Sequence, residues 1–200
     1  MERFRFYPLF IAALFFIGCT SGSREGSESE SIGGADTLTD EASVAEEQSY
    51  DAVVTLSGAS GSTVTGSAMF TDLGNQTVRM NIDVQNLEEG EHALHLHQNG
   101  DCSAADATSA GGHWNPTNRP HGRRGEAEFH KGDIANLEVG SDGSVSWTQD
   151  ISGWTIGGPD STNIVSKAVI IHADADDFIS QPAGNAGARV ACGVIQAVAM

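Results

Sequence analysis

The sequence predicts an all-β fold, an antiparallel sandwich or barrel, and three observations carry that reading. Short runs of alternating apolar and polar residues recur from about residue 50 to the end. Turn signals rich in Gly, Ser, Asn and Asp separate them. No long segment shows the 3.6-residue period of an amphipathic helix. The roughly 150 residues involved suit one domain, 49–200.

The runs follow in order. Ala52–Leu56 stops at S-G-A-S-G (57–61), and Thr63–Phe70 stops just before D-L-G-N (72–75). Val78–Val84 and His92–His97 come next. After a long Gly- and Pro-rich stretch, S-D-G-S (141–144) leads into Ser144–Asp150. Lys167–His172 and Ala188–Val198 complete the set. Trp114, Trp147 and Trp154 read as packing residues.

Six of the seven histidines suggest two adjacent metal sites. In E-H-A-L-H-L-H (91–97), residues i and i+2 of a strand share a face. His95 and His97 therefore project together, and Leu94 and Leu96 point to the core. His92 has the parity of the leucines and reads as a buried, hydrogen-bonded histidine. The stretch 111–133 carries His113, His121, His130 and Asp133 among Gly, Pro and Asn, so it is predicted to be a long loop. Three imidazoles and a carboxylate fit a closed tetrahedral zinc site. His172 ends an apolar run in A-V-I-I-H-A-D-A-D-D (168–177). With His95, His97 and one shared imidazole it makes a four-nitrogen set suited to Cu(II).

The chain resembles the copper-zinc superoxide dismutases, in particular bacterial exported ones of the lipoprotein type. The segments that carry the resemblance are G-E-H-A-L-H-L-H (90–97), G-D-C-S (100–103), S-A-G-G-H-W-N-P (109–116), H-K-G-D (130–133), I-I-H-A-D-A-D-D (170–177) and G-N-A-G-A-R-V-A-C-G-V-I (184–195). The resemblance implies an eight-stranded antiparallel Greek-key barrel with long metal-binding loops. It implies copper on His95, His97, His113 and His172, and zinc on His113, His121, His130 and Asp133, with His113 shared. Asp176 would link His95 to His121 from outside the ligand shell, and Arg189 would guide the anionic substrate, superoxide. Cys102 and Cys192 occupy the positions of the family's disulfide, which implies an oxidising compartment. A metal-handling module without turnover would be expected to lack His172, His113 or Arg189, and all three are present.

The N-terminus reads as an export signal. Arg3 and Arg5 precede an apolar stretch, Phe6 to Ile17, of 12 residues. That is short of the roughly 20 needed to span a bilayer. F-I-G-C (16–19) resembles a lipobox, with Phe16 where leucine is usual, so residues 1–18 read as a lipoprotein signal and Cys19 as the lipidated residue. A conventional signal cut elsewhere is the alternative. Residues 20–48 carry eight acidic residues against one basic and no aromatic, the composition of a disordered tether. The expected location is the membrane, through a lipid anchor, facing the periplasm or cell surface, with a role in protecting the envelope from oxidative damage.

The full chain has a net charge of −17, which argues against a nucleic-acid partner. The domain from Ser49 has seven Lys and Arg against 18 Asp and Glu, a net −11. Such a field opposes an anionic substrate, so local positive charge has to offset it. Arg189 and the metals supply some. Arg119, Arg123, Arg124 and Lys131 either add to it or are solvated loop charges. The composition is compatible with a monomer or a homodimer. Full-length protein made in a Gram-negative host is expected to partition into detergent and to take up labelled fatty acid. Cys19→Ser should abolish both, and an unlabelled parent protein would show that the lipobox reading is wrong.

Overall fold

The computed structural model describes residues 51–199, so the export signal, Cys19 and the tether lie outside it. Eight strands of five to nine residues build the domain: β1 (Ala52–Gly58), β2 (Thr65–Asp72), β3 (Thr77–Gln85), β4 (Gly90–His97), β5 (Asp133–Val139), β6 (Val145–Ser152), β7 (Ala168–His172) and β8 (Arg189–Val194). A two-residue β9 (Gln196–Ala197) pairs with the start of β1. All pairings are antiparallel, in the order β5-β4-β7-β8-β1-β2-β3-β6. After the β1–β3 meander the chain crosses over to lay down β4 and β5. It returns with β6 beside β3 and crosses again to place β7 between β4 and β8. The result is the Greek-key barrel, nearly closed, with a seam between the two end strands β5 and β6.

Alternation explains the strands. β3 reads T-V-R-M-N-I-D-V-Q, and Val78, Met80, Ile82 and Val84 are all buried while the residues between them are not. These side chains meet Val54, Leu56, Phe70, Leu94, Leu96, Leu137, Ile151 and Ile171 inside the barrel. Trp114 and Trp154 close the core, and Trp147 packs against it from a partly buried position.

The strand missing from the sequence reading is β5. Its start is displaced by a bulge, since Leu94 pairs with Ala135 but His95 pairs with Asp133. Ile134 is the extra residue, so Asp133 and Ile134 are both buried and the alternation is lost there. The last predicted run, Ala188–Val198, divides at Ile195 into β8 and β9. His92 is buried as expected, with Nδ1 2.9 Å from the His172 carbonyl and Nε2 3.0 Å from that of Glu88.

A second, smaller cluster lies outside the barrel, where Ala59, Ala107, Ala110, Ala168 and Ile170 pack with Cys192 and Cys102. The Cys102–Cys192 disulfide is formed, across a sequence separation of 90. In the chain-entropy view such a loop contributes about 4–5 kcal/mol by restricting the unfolded chain. It ties the segment after β4 to β8, two strands away in the sheet.

Candidate metal centre

The four adjacent strands β5-β4-β7-β8 carry the site. His95 and His97 lie on β4, His172 ends β7, Arg189 starts β8, and Asp133 starts β5. A bulge stands at each flank: His95 opposes Asp133 on one side, and His172 opposes Arg189 on the other. Bulges re-aim side chains next to functional sites, and here both turn polar groups toward the outer face of the quartet. The loop from β4 to β5 folds back over that face. It is pinned by three backbone bonds of 2.8–2.9 Å, Leu96 N–H to Gly132 O, Trp114 N–H to Leu96 O, and Gly132 N–H to Trp114 O. A Cβ at Gly132 would stand 2.9 Å from the Trp114 nitrogen, so the close approach needs glycine. Covered in this way, the polar face of β4 is buried, and residues 92–97 are all inaccessible.

The structure brings every predicted histidine ligand and Asp133 together in two groups. One is His95, His97, His113 and His172; the other is His113, His121, His130 and Asp133. The candidate ligand atoms of each lie within 4.8 Å of one another. His113 belongs to both. Its Nδ1 is 2.7 Å from Asp133 Oδ1 and 3.4 Å from His130 Nδ1, and its Nε2 faces the other group. His97 Nε2 and His172 Nε2 face each other at 3.4 Å.

The remaining ring nitrogens are held. His97 Nδ1 bonds the Gly111 carbonyl at 2.8 Å, and His172 Nδ1 that of Gly187 at 3.3 Å. Asp176 takes His95 Nε2 on Oδ2 at 2.8 Å and His121 Nε2 on Oδ1 at 2.9 Å, so one carboxylate joins the two groups. Fixing one nitrogen sets the tautomer and leaves the other free as a ligand.

The fit to metal ions can be tested on groups that the fold leaves without partners. Two buried ring nitrogens have no partner, His95 Nδ1 and His113 Nε2, and His121 Nδ1 makes no well-formed hydrogen bond although Asp133 Oδ2 lies 3.1 Å away. Buried polar atoms are seldom orphaned, and all three point into the two groups. Burial pushes the His97 pKa down to about 2, that of His172 to about 3 and that of His113 to about 4, so these rings are neutral and offer lone pairs. Burial opposes ionisation of Asp133, but hydrogen bonds from His113, His121 and His130 hold its carboxyl well below the usual range. Burial alone would lower His121, yet Asp133 and Asp176 raise it to about 9. That ring sits between two carboxylates, where a second cation is favoured. Four nitrogens beside three nitrogens and a carboxylate match the donor sets of Cu(II) and Zn(II).

Arg189 borders the first group. Nη1 donates to Ala107 O and Nη2 to Gly111 O, both at 2.6 Å. The Gly111 carbonyl therefore takes both His97 and Arg189, a link that the sequence does not show. A cavity of about 410 Å³ opens there, lined by His97, His113, His172, Pro182, Ala183 and Arg189 among others. Among the described residues Arg189 is the only Lys or Arg lining it. The other loop cations lie elsewhere. Arg119 pairs with Glu128 at 3.2 Å, and Arg123 stacks 3.8 Å from the Phe178 ring centre. Lys131 Nζ donates to Gly153 O at 2.8 Å. Arg124 is not at that cavity: it is half-buried, and its guanidinium donates to three backbone carbonyls.

Sequence reasoning also missed the supports of Asp176. Asn136 on β5 exchanges two bonds with it, Nδ2 to Asp176 O at 3.0 Å and Asp176 N–H to Asn136 Oδ1 at 2.8 Å. Gly184, at φ +65°, leaves room for the carboxylate. Its place in G-N-A-G (184–187) was visible, but the need for it arises only in three dimensions.

Comparisons with known proteins agree on one family. The family model for copper/zinc superoxide dismutase matches residues 64–195. A superoxide dismutase (Cu-Zn) of Deinococcus radiodurans is 38% identical over 148 residues, 68% of this chain and 79% of that protein. A crystal structure of a SOD-like protein from Bacillus subtilis aligns with a TM-score of 0.67 at 32% identity, covering 73% of this chain and 99% of that one. A double mutant of that protein gives 0.65 at 34%, covering 71% and 95%.

Gly184→Ala would drive a methyl group into Asp176 Oδ1 and to 2.7 Å from His121 Nε2, in a backbone conformation that disfavours alanine. Metal affinity at both groups is expected to fall by about 10- to 100-fold, the range for lost outer-shell support. Competition titrations of the metal-free protein with copper and with zinc check this.

Proposed function

The chain belongs to the copper/zinc superoxide dismutase family, an oxidoreductase family, and on that premise we propose how its own residues divide the work of converting superoxide to dioxygen and hydrogen peroxide. The observation that carries the proposal is His113, a buried ring whose Nδ1 faces one ligand group and whose unpartnered Nε2 faces the other. His95, His97, His113 and His172 would hold copper, and His113, His121, His130 and Asp133 would hold zinc. When bound, copper supplies a one-electron couple and zinc a fixed divalent charge.

The protein atoms set the rest. His97 and His172 are neutral and locked by carbonyl bonds at Nδ1, so their Nε2 lone pairs stay aimed at one point. His113 Nε2 is unpartnered while Nδ1 is held by Asp133 Oδ1 at 2.7 Å, so Nε2 could gain or lose a proton without freeing the ring. It is placed to take up a proton in one half-cycle and deliver it to the peroxide leaving in the other. Two superoxide anions and two protons thus give one dioxygen and one hydrogen peroxide. Arg189 keeps its guanidinium at the cavity wall through Ala107 O and Gly111 O, and its charge lowers the cost of bringing an anion into a strongly acidic molecule.

We infer export, lipid anchoring and protection of the cell envelope from the N-terminal pattern. Arg3 and Arg5, the apolar Phe6–Ile17 stretch, Gly18-Cys19 and the acidic segment that follows support it. The disulfide fits an oxidising compartment.

His172→Ala should lose copper and dismutation while zinc stays, as read by metal analysis and a superoxide assay. Full activity without His172 would remove it from the copper set. Arg189→Ala should keep both metals and slow turnover by about 10-fold or more, within the range of local steering. The parent rate should fall as ionic strength rises, because screening weakens the local field. A rate that rises with salt would mean that the net negative charge governs approach instead.

A further inference from the structure

The sheet has a seam where its end strands β5 and β6 stand side by side without pairing. A cleft of about 350 Å³ runs along it, lined by Arg124, Phe129, Ile134, Trp147 and Ser152 among others. Arg124 reaches across one end. Its Nε donates to Asp133 O, the first carbonyl of β5, at 2.6 Å, and its Nη1 to Ser152 O, the last of β6, at 3.2 Å. Its Nη2 donates to Lys131 O. Among the described residues no carboxylate pairs with it, and its Cζ lies 5.2 Å from the centres of the Phe129 and Trp154 rings.

The three carbonyls are not scattered. Lys131 and Asp133 belong to the turn that starts at His130, closed by Asp133 N–H to His130 O at 3.1 Å and His130 N–H to Asp133 Oδ2 at 2.7 Å. That turn carries two of the four candidate zinc ligands. Arg124 itself lies three residues after His121, a third, in the same loop. Two neighbours grip the same turn from the segment after β6: Trp154 Nε1 donates to Lys131 O at 2.9 Å, and Lys131 Nζ to Gly153 O at 2.8 Å.

We propose that Arg124 is a positioning residue for the zinc group, in which one guanidinium clamps the His130–Asp133 turn to both rims of the open seam. The inference rests on the ligand reading above. A half-buried cation without a carboxylate partner loses part of its hydration, and an apolar side chain of similar length would fill the space without that loss. Only a planar fork with several fixed donors serves three carbonyls at once. The arrangement makes the ligand geometry depend on the barrel: the seam is bridged at the residue that begins β5, and that residue is Asp133.

The test uses metal-free full-length protein, titrated with zinc against a chromophoric chelator, and then with cobalt(II), whose absorption reports the symmetry of the zinc position. The parent, His130→Ala, Arg124→Lys and Arg124→Met are compared. Arg124→Met should bind zinc about 10- to 100-fold more weakly than the parent, as outer-shell losses do, and give a weakened or shifted cobalt band. Arg124→Lys, with charge but no fork, should fall between. Copper affinity, measured with zinc saturating, should be nearly unchanged in both. If Arg124→Met binds zinc like the parent with the same cobalt spectrum, Arg124 only fills space and the inference is overturned. Should Arg124→Met fail to fold, Arg124→Lys decides: parent-like affinity and spectrum overturn the inference equally. A parent that takes up no zinc, or a His130→Ala variant that binds it as well as the parent, overturns the ligand reading and this inference with it.

Discussion

Six imidazoles have to be buried on one face of a sheet and still keep a lone pair free, and much of the structure follows from that requirement. His92 has a carbonyl within hydrogen-bond distance of each ring nitrogen, those of His172 and Glu88. The candidate ligand histidines keep one nitrogen turned to the site. The Gly111 and Gly187 carbonyls and the two oxygens of Asp176 take the far nitrogens of His97, His172, His95 and His121. What is left over, His95 Nδ1 and His113 Nε2 with no partner, would cost on the order of 1–3 kcal/mol each in a protein without metal. The metal-free domain therefore stores a penalty that cation binding removes, and metal affinity and folding stability are linked in this chain.

This division between held and free nitrogens also explains what could be read from the sequence. The candidate ligand residues were legible because their chemistry lies in residue type and spacing: H-x-H on a strand, three histidines and an aspartate in a loop, one histidine at a strand end. The strands were legible wherever alternation ran unbroken, as in β3. β5 was hidden because its bulge at Ile134 breaks the period where Asp133 must turn outward. The supports were largely illegible. Gly111, Gly187, Ala107, Lys131 and Ser152 act through carbonyl oxygens, which every residue possesses, so nothing in their identity marks them. Arg124 illustrates the difficulty best. In sequence it is one of three arginines in a polar loop, and neither obvious reading, steering or solvation, anticipates its bonds to three backbone carbonyls.

The distribution of charge follows from the same requirement. Of the four loop cations that could have faced the substrate, one is paired with Glu128, one is stacked on Phe178, and two are spent on backbone carbonyls. Arg189 alone remains at the cavity, against a domain net charge of −11. Pro182 and Ala183 form the neighbouring wall, without charge of either sign. Short-range attraction at the cavity and long-range repulsion from the surface thus act on the approaching anion together.

The last link is between the barrel and the loops. Half of the barrel, β1-β2-β3-β6, carries none of the candidate ligands and is held by the apolar core. The other half, β5-β4-β7-β8, carries all those that are not in loops. The two halves meet at β8–β1, where pairing is limited to two residue pairs, and at the unpaired β5–β6 seam. At the first junction the disulfide fastens the loop after β4 to Cys192, and Cys192 is one of the two β8 residues that pair with β1. At the second, Arg124 spans Asp133 and Ser152. At the seam the cross-link joins the two halves through a residue of the candidate zinc group, while at β8–β1 the disulfide anchors a loop of the site to a strand of the junction. The barrel is thus nearly closed with few regular hydrogen bonds between its halves.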